Sequence, residues 1–219
     1  NLTTAYLKEL QKTAVNRLSV GVQSFEEHRL QWMNRSHNAQ QAVTAIENAM
    51  QMGFNVSADL IFALPEMSTD EWQKQLQKMI GLRPQHISAY SLTLEERTVY
   101  HHQVAKKKIR ELDDVISEEQ FLLAHQQLSN AGYHHYEISN YASTGHVAIH
   151  NSSYWKSEVY LGLGPSAHSF NGKTRKWNIS NNTAYIKSVN KGVIPFESEM
   201  LTEADRYNEF VMTGLRTAI

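Results

Sequence analysis

The chain of 219 residues contains no cysteine, and this absence excludes several classes of function at once. Without thiols the chain can form no disulfide, and it can use no thiolate as a nucleophile or as a zinc ligand. An iron–sulfur cluster held by cysteine thiolates is excluded for the same reason. We therefore expect these 219 residues alone to carry out no cluster-dependent radical chemistry.

An excess of charge of one sign is also missing, because 21 Lys and Arg stand against 22 Asp and Glu, for a net charge of −1. Such a balance gives no field that would attract nucleic acid or anionic lipid unspecifically. No stretch approaches the roughly 20 consecutive apolar residues of a membrane helix, and the first residues, NLTTAYLKEL, lack the regions of a signal peptide. The sequence predicts a soluble, cytoplasmic protein with no nucleic-acid partner and no membrane span.

Three short β-branched runs alternate with helical patterns in the first half of the chain. The predicted strands are Arg17 to Phe25, Ser57 to Pro65 and His86 to Leu94. Helix starts are predicted at two capping boxes and one N-cap, namely Ser24 with Glu27, Ser68 with Glu71, and Asn38. Gly53 and Gly132 stand where the helices that precede them should end. Strands that alternate with helices predict an α/β fold with a parallel sheet.

Three strands are too few for a closed barrel or a doubly wound sheet. Both ends of the chain lie within helical patterns, so the sequence predicts an internal piece of a longer protein. The second half loses the alternation and predicts an α+β region, with helices from about Ser117 to Asn130 and from about Thr202. The basic run at residues 106–110 is interpreted as a solvated loop.

Alternation along the strands predicts which residues face the interior of the βα layer. Ser19, Gly21 and Gln23 lie on one face of the first strand, and Ser57 and Asp59 lie on the equivalent face of the second. The third strand is ambiguous. Polar groups at strand ends predict a small polar ligand, although each could equally cap a neighbouring loop or helix.

The chain has 11 histidines, yet no HExxH pattern or helical i, i+4 histidine pair indicates a metal site. The segment HNSSYW, residues 150–155, places an imidazole beside two aromatic rings in a predicted loop. Imidazole can ligate haem iron, but a buried aromatic corner explains the same pattern. The glycines of LGLGPSAHSF lack the rest of a dinucleotide fingerprint, and a tight turn or close backbone approach explains them.

Several segments, in this order along the chain, closely resemble one known family: RLSVGVQSF, NRSHN, DLIFALP, HISAYSLTLEE, GYHHYEISNYA, HNSSYW and YLGLGPSAHSF. The family is that of radical S-adenosylmethionine proteins related to oxygen-independent coproporphyrinogen III oxidase. The HNxxYW pattern makes the chain most similar to the HemW branch, whose members resemble the oxidase but are regarded as haem chaperones. The resemblance runs from about Leu2 to Leu215.

The resemblance implies a fold and a set of cofactors. Residues 1–112 would supply the last three βα units of a partial, TIM-like (β/α)6 radical SAM barrel, and residues 113–219 a truncated HemN/HemW-type α+β C-terminal domain. In this family a CxxxCxxC loop holds a [4Fe–4S] cluster, and an electron from it cleaves S-adenosylmethionine to a 5′-deoxyadenosyl radical. The chain contains no such loop, so the cluster ligands are expected elsewhere in the parent protein.

The same resemblance assigns residues to S-adenosylmethionine. Arg35 is suited to the carboxylate of this cofactor, and Gln23 and Asp59 to its amino and hydroxyl groups. Ser91 and His168 fall at two further contact positions where the residue varies within the family. No catalytic residue and no metal ligand is implied within these 219 residues.

In the HemW branch the resemblance makes His150 the candidate haem ligand, surrounded by Asn151, Tyr154 and Trp155. Haem or porphyrin, S-adenosylmethionine and haem-accepting proteins are therefore the implied partners. Two other functions stay open, a true coproporphyrinogen III dehydrogenase that decarboxylates propionates, and a cofactor-free βα binding module.

The chain departs from the family pattern in two loops. Where relatives usually read GLPGQT, this chain reads ALPEMS, with Ala63 and Glu66 in place of glycines. Where relatives often read EEGT, it has EERT, with Arg97 in place of the glycine. Because of these changes, the geometry of the two loops near the cofactor does not follow from the resemblance, whereas the predicted fold is unaffected.

Overall fold

A computed structural model describes residues 2–96 and 98–218 of the chain. It divides into two compact units, Asn1–Val147 and Ala148–Ile219. Arg97, one of the departures from the family pattern, lies outside the described residues.

The first unit contains a five-stranded mixed sheet in the order β1-β2-β3-β5-β4. Its strands are β1 (Arg17–Gln23), β2 (Asn55–Phe62), β3 (His86–Ser91), β4 (His134–Glu137) and β5 (Asn140–Ala142). The first three are parallel, as predicted, while β5 runs antiparallel to both β3 and β4. The α/β class is confirmed, whereas the partial barrel stays a prediction.

Six helices accompany this sheet in the described part of the first unit: α1 (Thr4–Leu10), α2 (Glu27–Trp32), α3 (Ala39–Gln51), α4 (Thr69–Leu82), α5 (Val99–Ala105) and α6 (Asp114–Asn130). α3 and α6 pack on the strands, and α4 packs on both of these helices. The core between them consists of fully buried apolar side chains, among them Ile46, Val56, Leu60, Leu76, Ile87 and Leu128. The apolar face of the sheet is therefore the helix-facing one.

Two of the three predicted helix starts are confirmed. Asn38 caps α3 in a capping box with Gln41, and Ser68 accepts a hydrogen bond from the backbone N–H of Glu71 at the start of α4. The prediction for Ser24 is wrong, because α2 begins at Glu27 with Glu26 as N-cap. The Ser24 hydroxyl instead lies 3.4 Å from Gln75 Oε1 of α4, a tertiary contact that local sequence does not reveal.

The second unit contains an antiparallel three-stranded sheet in the order β6-β7-β8. Its elements are α7 (Ile149–Trp155), β6 (His168–Phe170), β7 (Thr174–Asn178), α8 (Asn182–Val189), β8 (Phe196–Met200) and α9 (Glu203–Arg216). Gly162 lies against the backbone of His168, where any Cβ would overlap the carbonyl oxygen. This close approach between backbone segments fits the interpretation that the sequence suggested for the glycines of this segment.

The division after Val147 differs from the predicted boundary after residue 112. The physical reason is that α6 packs against α4, while β4 and β5 extend the first sheet. The assignment of residues 113–219 to a separate family domain stays a prediction. In the described part of the chain, no helix has the length and apolar character needed to cross a bilayer.

Candidate functional site

One face of the first sheet carries polar and small side chains instead of a helix-facing core. Gly21 pairs with Asp59 in the parallel register, and Asp59 pairs with Ser88. Paired residues of a parallel sheet share a face, so the ambiguity of β3 is resolved, with Ser88 on the same side as Asp59. Val56, Ala58 and Leu60 alternate with this set and are fully buried in the core. We call this surface the polar face.

Asp59 lies at the centre of the polar face among serine hydroxyls. Ser19 Oγ donates to Asp59 Oδ2 over 3.1 Å. Burial raises the pKa of the Asp59 carboxyl above its ordinary value, and hydrogen bonds from Ser88, Ser19 and Ser57 oppose that rise. Within the described residues no Lys, Arg or His nitrogen forms an ion pair with this carboxylate. A ligand with a cationic or hydroxyl group would supply the missing partner.

Gln23 ends β1 in a backbone conformation that non-glycine residues rarely adopt, with φ of 66°. The backbone N–H of Ser24 donates to the carbonyl of Val22 over 2.8 Å, so Gln23 is the central residue of a tight three-residue turn. Its side chain folds back over Gly21, because a Cβ at Gly21 would lie 2.6 Å from Gln23 Nε2. The Gln23 amide is thereby held above the strand position that pairs with Asp59. Strain of this kind accumulates at functional sites.

A groove of about 770 Å³ runs along β1 beside this turn. It is lined by Ser19 and Gly21 of β1 and by residues 36–38, which connect α2 to α3, together with residues of α1 and α3. Arg35 immediately precedes the second of these lining segments and is exposed. Its backbone N–H donates to the Leu30 carbonyl, and its guanidinium makes no ion pair within the described residues. Its contact with a carboxylate stays a prediction.

Two further residues were predicted to contact the cofactor, Ser91 and His168. Ser91 pairs with Phe62 at the end of β3 and so alternates to the side of the sheet opposite Asp59. His168 belongs to the second unit, where its ring lies 6.2 Å from the ring of Trp177. The role of each in binding a cofactor stays a prediction.

The sequence interpretation missed a buried histidine on the polar face. His86 Nδ1 lies 2.7 Å from Ser57 Oγ, and His86 Nε2 lies 2.8 Å from Tyr136 Oη. Burial, with a smaller contribution from the charge of Arg17, lowers the pKa of His86 to about 3. The signal was present in the sequence, because His86 stands two residues before Ser88 on the same face of its strand.

The loop that follows β2 contains two residues with a backbone conformation that favours glycine. Ala63 and Glu66 both adopt the left-handed conformation, with φ of 57° and 59°. Arg29 holds this loop by donating to the Pro65 carbonyl over 2.6 Å and by pairing with Glu71 at the start of α4. The backbone N–H of Ala63 also donates to Gln120 Oε1. The tertiary contacts therefore impose a backbone geometry that would suit glycine at both positions.

The segment of residues 150–155 lies on α7, so the prediction of a loop is wrong. His150 and Tyr154 are one helical turn apart, and Tyr154 Oη lies 3.2 Å from His150 Nε2. Both side chains are exposed, and the ring of Tyr154 also packs edge-on against Tyr160 at 4.8 Å. An exposed imidazole on a helix surface is accessible to a large planar ligand.

A groove of about 340 Å³ lies beside this helix within the second unit. Asn151, Tyr154 and Trp155 line it together with Tyr160 and Arg175. Asn151 Nδ2 and Trp155 Nε1 are buried donors with no hydrogen-bond partner in the part of the chain that is described. Such donors favour an acceptor that is supplied from outside the protein.

The residues present do not fit an iron–sulfur cluster. The sequence contains no cysteine, and no group of three or more metal-ligating side chains occurs among the described residues. Asp59, the serines and Gln23 do fit a ligand with amino and hydroxyl groups, because carboxylate and amide oxygens accept hydrogen bonds from both.

Comparisons with known proteins agree with these features. Residues 1–79 match the radical SAM superfamily. The chain is 33% identical over 218 residues to the heme chaperone HemW of Bacillus subtilis (strain 168), an alignment that covers 99% of this chain and 58% of that protein. It is 38% identical over 165 residues to the radical S-adenosyl methionine domain-containing protein 1, mitochondrial, of Danio rerio, covering 75% of this chain and 37% of that protein.

Among solved structures, coproporphyrinogen III oxidase (HemN) from Escherichia coli has a similar fold, with a TM-score of 0.74 and 22% sequence identity. The superposition covers 98% of this chain and 52% of that one. The chain therefore spans about half the length of the bacterial relatives that it matches.

Proposed function

Because this chain is a homologue of HemW-type radical SAM proteins, as its sequence segments indicated, we propose that its first unit binds S-adenosylmethionine and its second unit binds haem. The relative from Bacillus subtilis is named a heme chaperone, and haem chaperone activity is the function proposed for the protein to which these residues belong. Haem-accepting proteins and a cytoplasmic location belong to the same proposal.

The observation that carries the cofactor proposal is the partly buried carboxylate of Asp59. It has serine donors on several sides but no cationic partner in the described residues. S-adenosylmethionine supplies an ammonium group, a sulfonium cation and two ribose hydroxyls, any of which complements a carboxylate. The Gln23 amide, held over Gly21, would accept from or donate to the same ligand.

Arg35 is the proposed partner of the cofactor's carboxylate. Its exposure leaves the guanidinium accessible, and the three residues that follow it line the groove along β1. A guanidinium binds a carboxylate through two parallel hydrogen bonds, which gives both energy and orientation. The cluster chemistry of the family requires thiolates that these residues do not contain, so no radical step is assigned to them.

The cofactor proposal is tested by calorimetric titration of the 219-residue chain with S-adenosylmethionine. We expect Asp59→Asn to weaken binding by about tenfold or more, because a hydrogen bond to a charged group contributes roughly 1.5–3 kcal/mol. The matched control is Asp70→Asn. This substitution makes the same change in charge at an exposed residue in the first turn of α4. Equal affinities of the two variants, or no binding by the unaltered chain, would contradict the proposal.

The haem proposal is supported by the accessible imidazole of His150 and by the unpartnered donors of Asn151 and Trp155. Ligation of iron through Nε2 would require His150 to give up its contact with Tyr154 Oη. The groove beside α7, with aromatic walls and Arg175, suits one edge of a porphyrin with its carboxylates.

Stoichiometric haem titration, followed by the Soret band, tests this assignment. We expect His150→Ala to weaken haem binding and shift the spectrum, while His28→Ala, which removes another exposed histidine, has little effect. Identical spectra and retention for both variants would show that α7 does not bind haem. Decarboxylation of coproporphyrinogen by the longer parent protein would favour the oxidase function. Binding of neither S-adenosylmethionine nor haem would favour the cofactor-free βα binding module.

A further inference from the structure

Polar side chains form a line along the polar face from Tyr136 of β4 to Asp59. Tyr136 Oη contacts His86 Nε2 at 2.8 Å, and His86 Nδ1 contacts Ser57 Oγ at 2.7 Å. Ser57 lies two residues before Asp59 on the same face of β2, and its hydroxyl is one of three serine hydroxyls that lower the pKa of the Asp59 carboxyl. The parallel register brings these groups together, because His86 pairs directly with Ser57.

The count of donors gives this line one direction. An ionised carboxylate only accepts hydrogen bonds, so a Ser57 hydroxyl that serves Asp59 must direct its single proton to the carboxylate. Ser57 Oγ then accepts from His86, which requires the imidazole proton to lie on Nδ1. Nε2 is left with a lone pair and accepts from the hydroxyl of Tyr136. Every donor in the line therefore points towards Asp59.

We propose that His86 is a positioning residue for Asp59, which it serves by holding the Ser57 hydroxyl in the orientation that donates to the carboxylate. Tyr136 fixes the required Nδ1–H form of His86 from the other side. The role rests on the proposed function for the identity of the ligand, but the arrangement itself is a property of the ligand-free chain. It presents a fixed, ionised carboxylate to whatever cation or hydroxyl enters the polar face.

The line depends on a neutral imidazole, and its surroundings provide one. Burial lowers the pKa of His86, and the guanidinium of Arg17 on β1 adds to that effect. The other ionisable groups on the strands that contribute to the line are Asp59 on β2, Tyr90 on β3, and His134, His135, Tyr136 and Glu137 on β4.

The direct test is 15N NMR of the histidine side chains in the ligand-free chain at neutral pH. The proposal predicts that His86 is neutral with its proton on Nδ1. A proton on Nε2, or a charged ring, would overturn it, because Ser57 would then be oriented differently. This measurement needs no substitution and so does not depend on the folding of a variant.

A second measurement separates positioning from packing. Tyr136→Phe removes the terminal hydroxyl of the line, and Tyr133→Phe removes another buried hydroxyl, which donates to the Pro84 carbonyl at 2.7 Å and lies outside the line. We expect the pKa of Asp59, followed by 13C NMR of its carboxyl, to rise in Tyr136→Phe and to stay unchanged in Tyr133→Phe. An unchanged pKa in both would overturn the positioning role.

The two proposals fail in different ways. If the line is intact but S-adenosylmethionine does not bind, the proposed function fails and the positioning of Asp59 stands. If S-adenosylmethionine binds but His86 has its proton on Nε2, the positioning role alone fails.

Discussion

Asp59 combines burial, serine donors and the lack of a cationic partner within the described residues, which is an unfavourable environment for a charge in the ligand-free chain. The carboxylate of Asp59 therefore lowers the free energy of unfolding of the ligand-free chain, and the same carboxylate can bind a complementary group. The Gln23 turn shows the same relation, because its left-handed backbone is unfavourable for a glutamine but holds the amide over Gly21.

The raised pKa of Asp59 predicts how stability depends on pH. A carboxyl whose pKa is raised on folding favours the folded state fully below its unfolded pKa, and that contribution is lost as the pH rises through the folded value. Asp59→Asn should therefore increase the free energy of unfolding at neutral pH and change it less in acid. Urea unfolding of both proteins at the two pH values measures the difference. A variant that is less stable at neutral pH would contradict the burial of an uncompensated charge.

At the scale of the element, the loop between β2 and α4 has the left-handed conformation at two residues that are not glycine. These residues are Ala63 and Glu66, and a side chain in that conformation costs roughly 1–2 kcal/mol. The conformation persists because Arg29, Glu71 and Gln120 bind the loop and its neighbours.

Glu66→Gly should stabilise the protein by about 0.5–1 kcal/mol, since glycine removes the backbone strain but adds some entropy to the unfolded chain. Glu47→Gly is the matched control, because Glu47 is also exposed but lies within α3. That substitution should destabilise by about 0.5–1 kcal/mol. Denaturant unfolding distinguishes the two, and destabilisation by both would show that the loop does not favour glycine.

Sequence patterns predicted β1 and β2 well, because packing against helices on one side of the strand determines the pattern of each. Alternation along β1 and β2 identified the polar face, because only one side of each strand packs on helices. β3 stayed ambiguous because His86, Ile87, Ser88 and Ala89 are all buried, so burial does not separate its two faces. The loop predicted at residues 150–155 is a helix, since the spacing of His150 and Tyr154 is equally compatible with α7.

At the scale of the whole chain, the predicted family resemblance is confirmed, although the predicted boundary after residue 112 does not coincide with the division between the two compact units. The sequence did not indicate that β4 and β5 extend the first sheet, because both strands are short and the pairing of β5 with β3 is a long-range contact. The same limit hid His86, whose partners Ser57 and Tyr136 come from other strands.

The central claim is that the polar face of the first unit binds S-adenosylmethionine through Asp59 and Gln23. NMR titration of the 219-residue chain with S-adenosylmethionine tests it most directly, by following the carboxyl carbon of Asp59 and the side-chain amide of Gln23. The account predicts that both signals shift and saturate together, while the signals of α7 stay unchanged. Saturable binding that leaves Asp59 and Gln23 unmoved would contradict it.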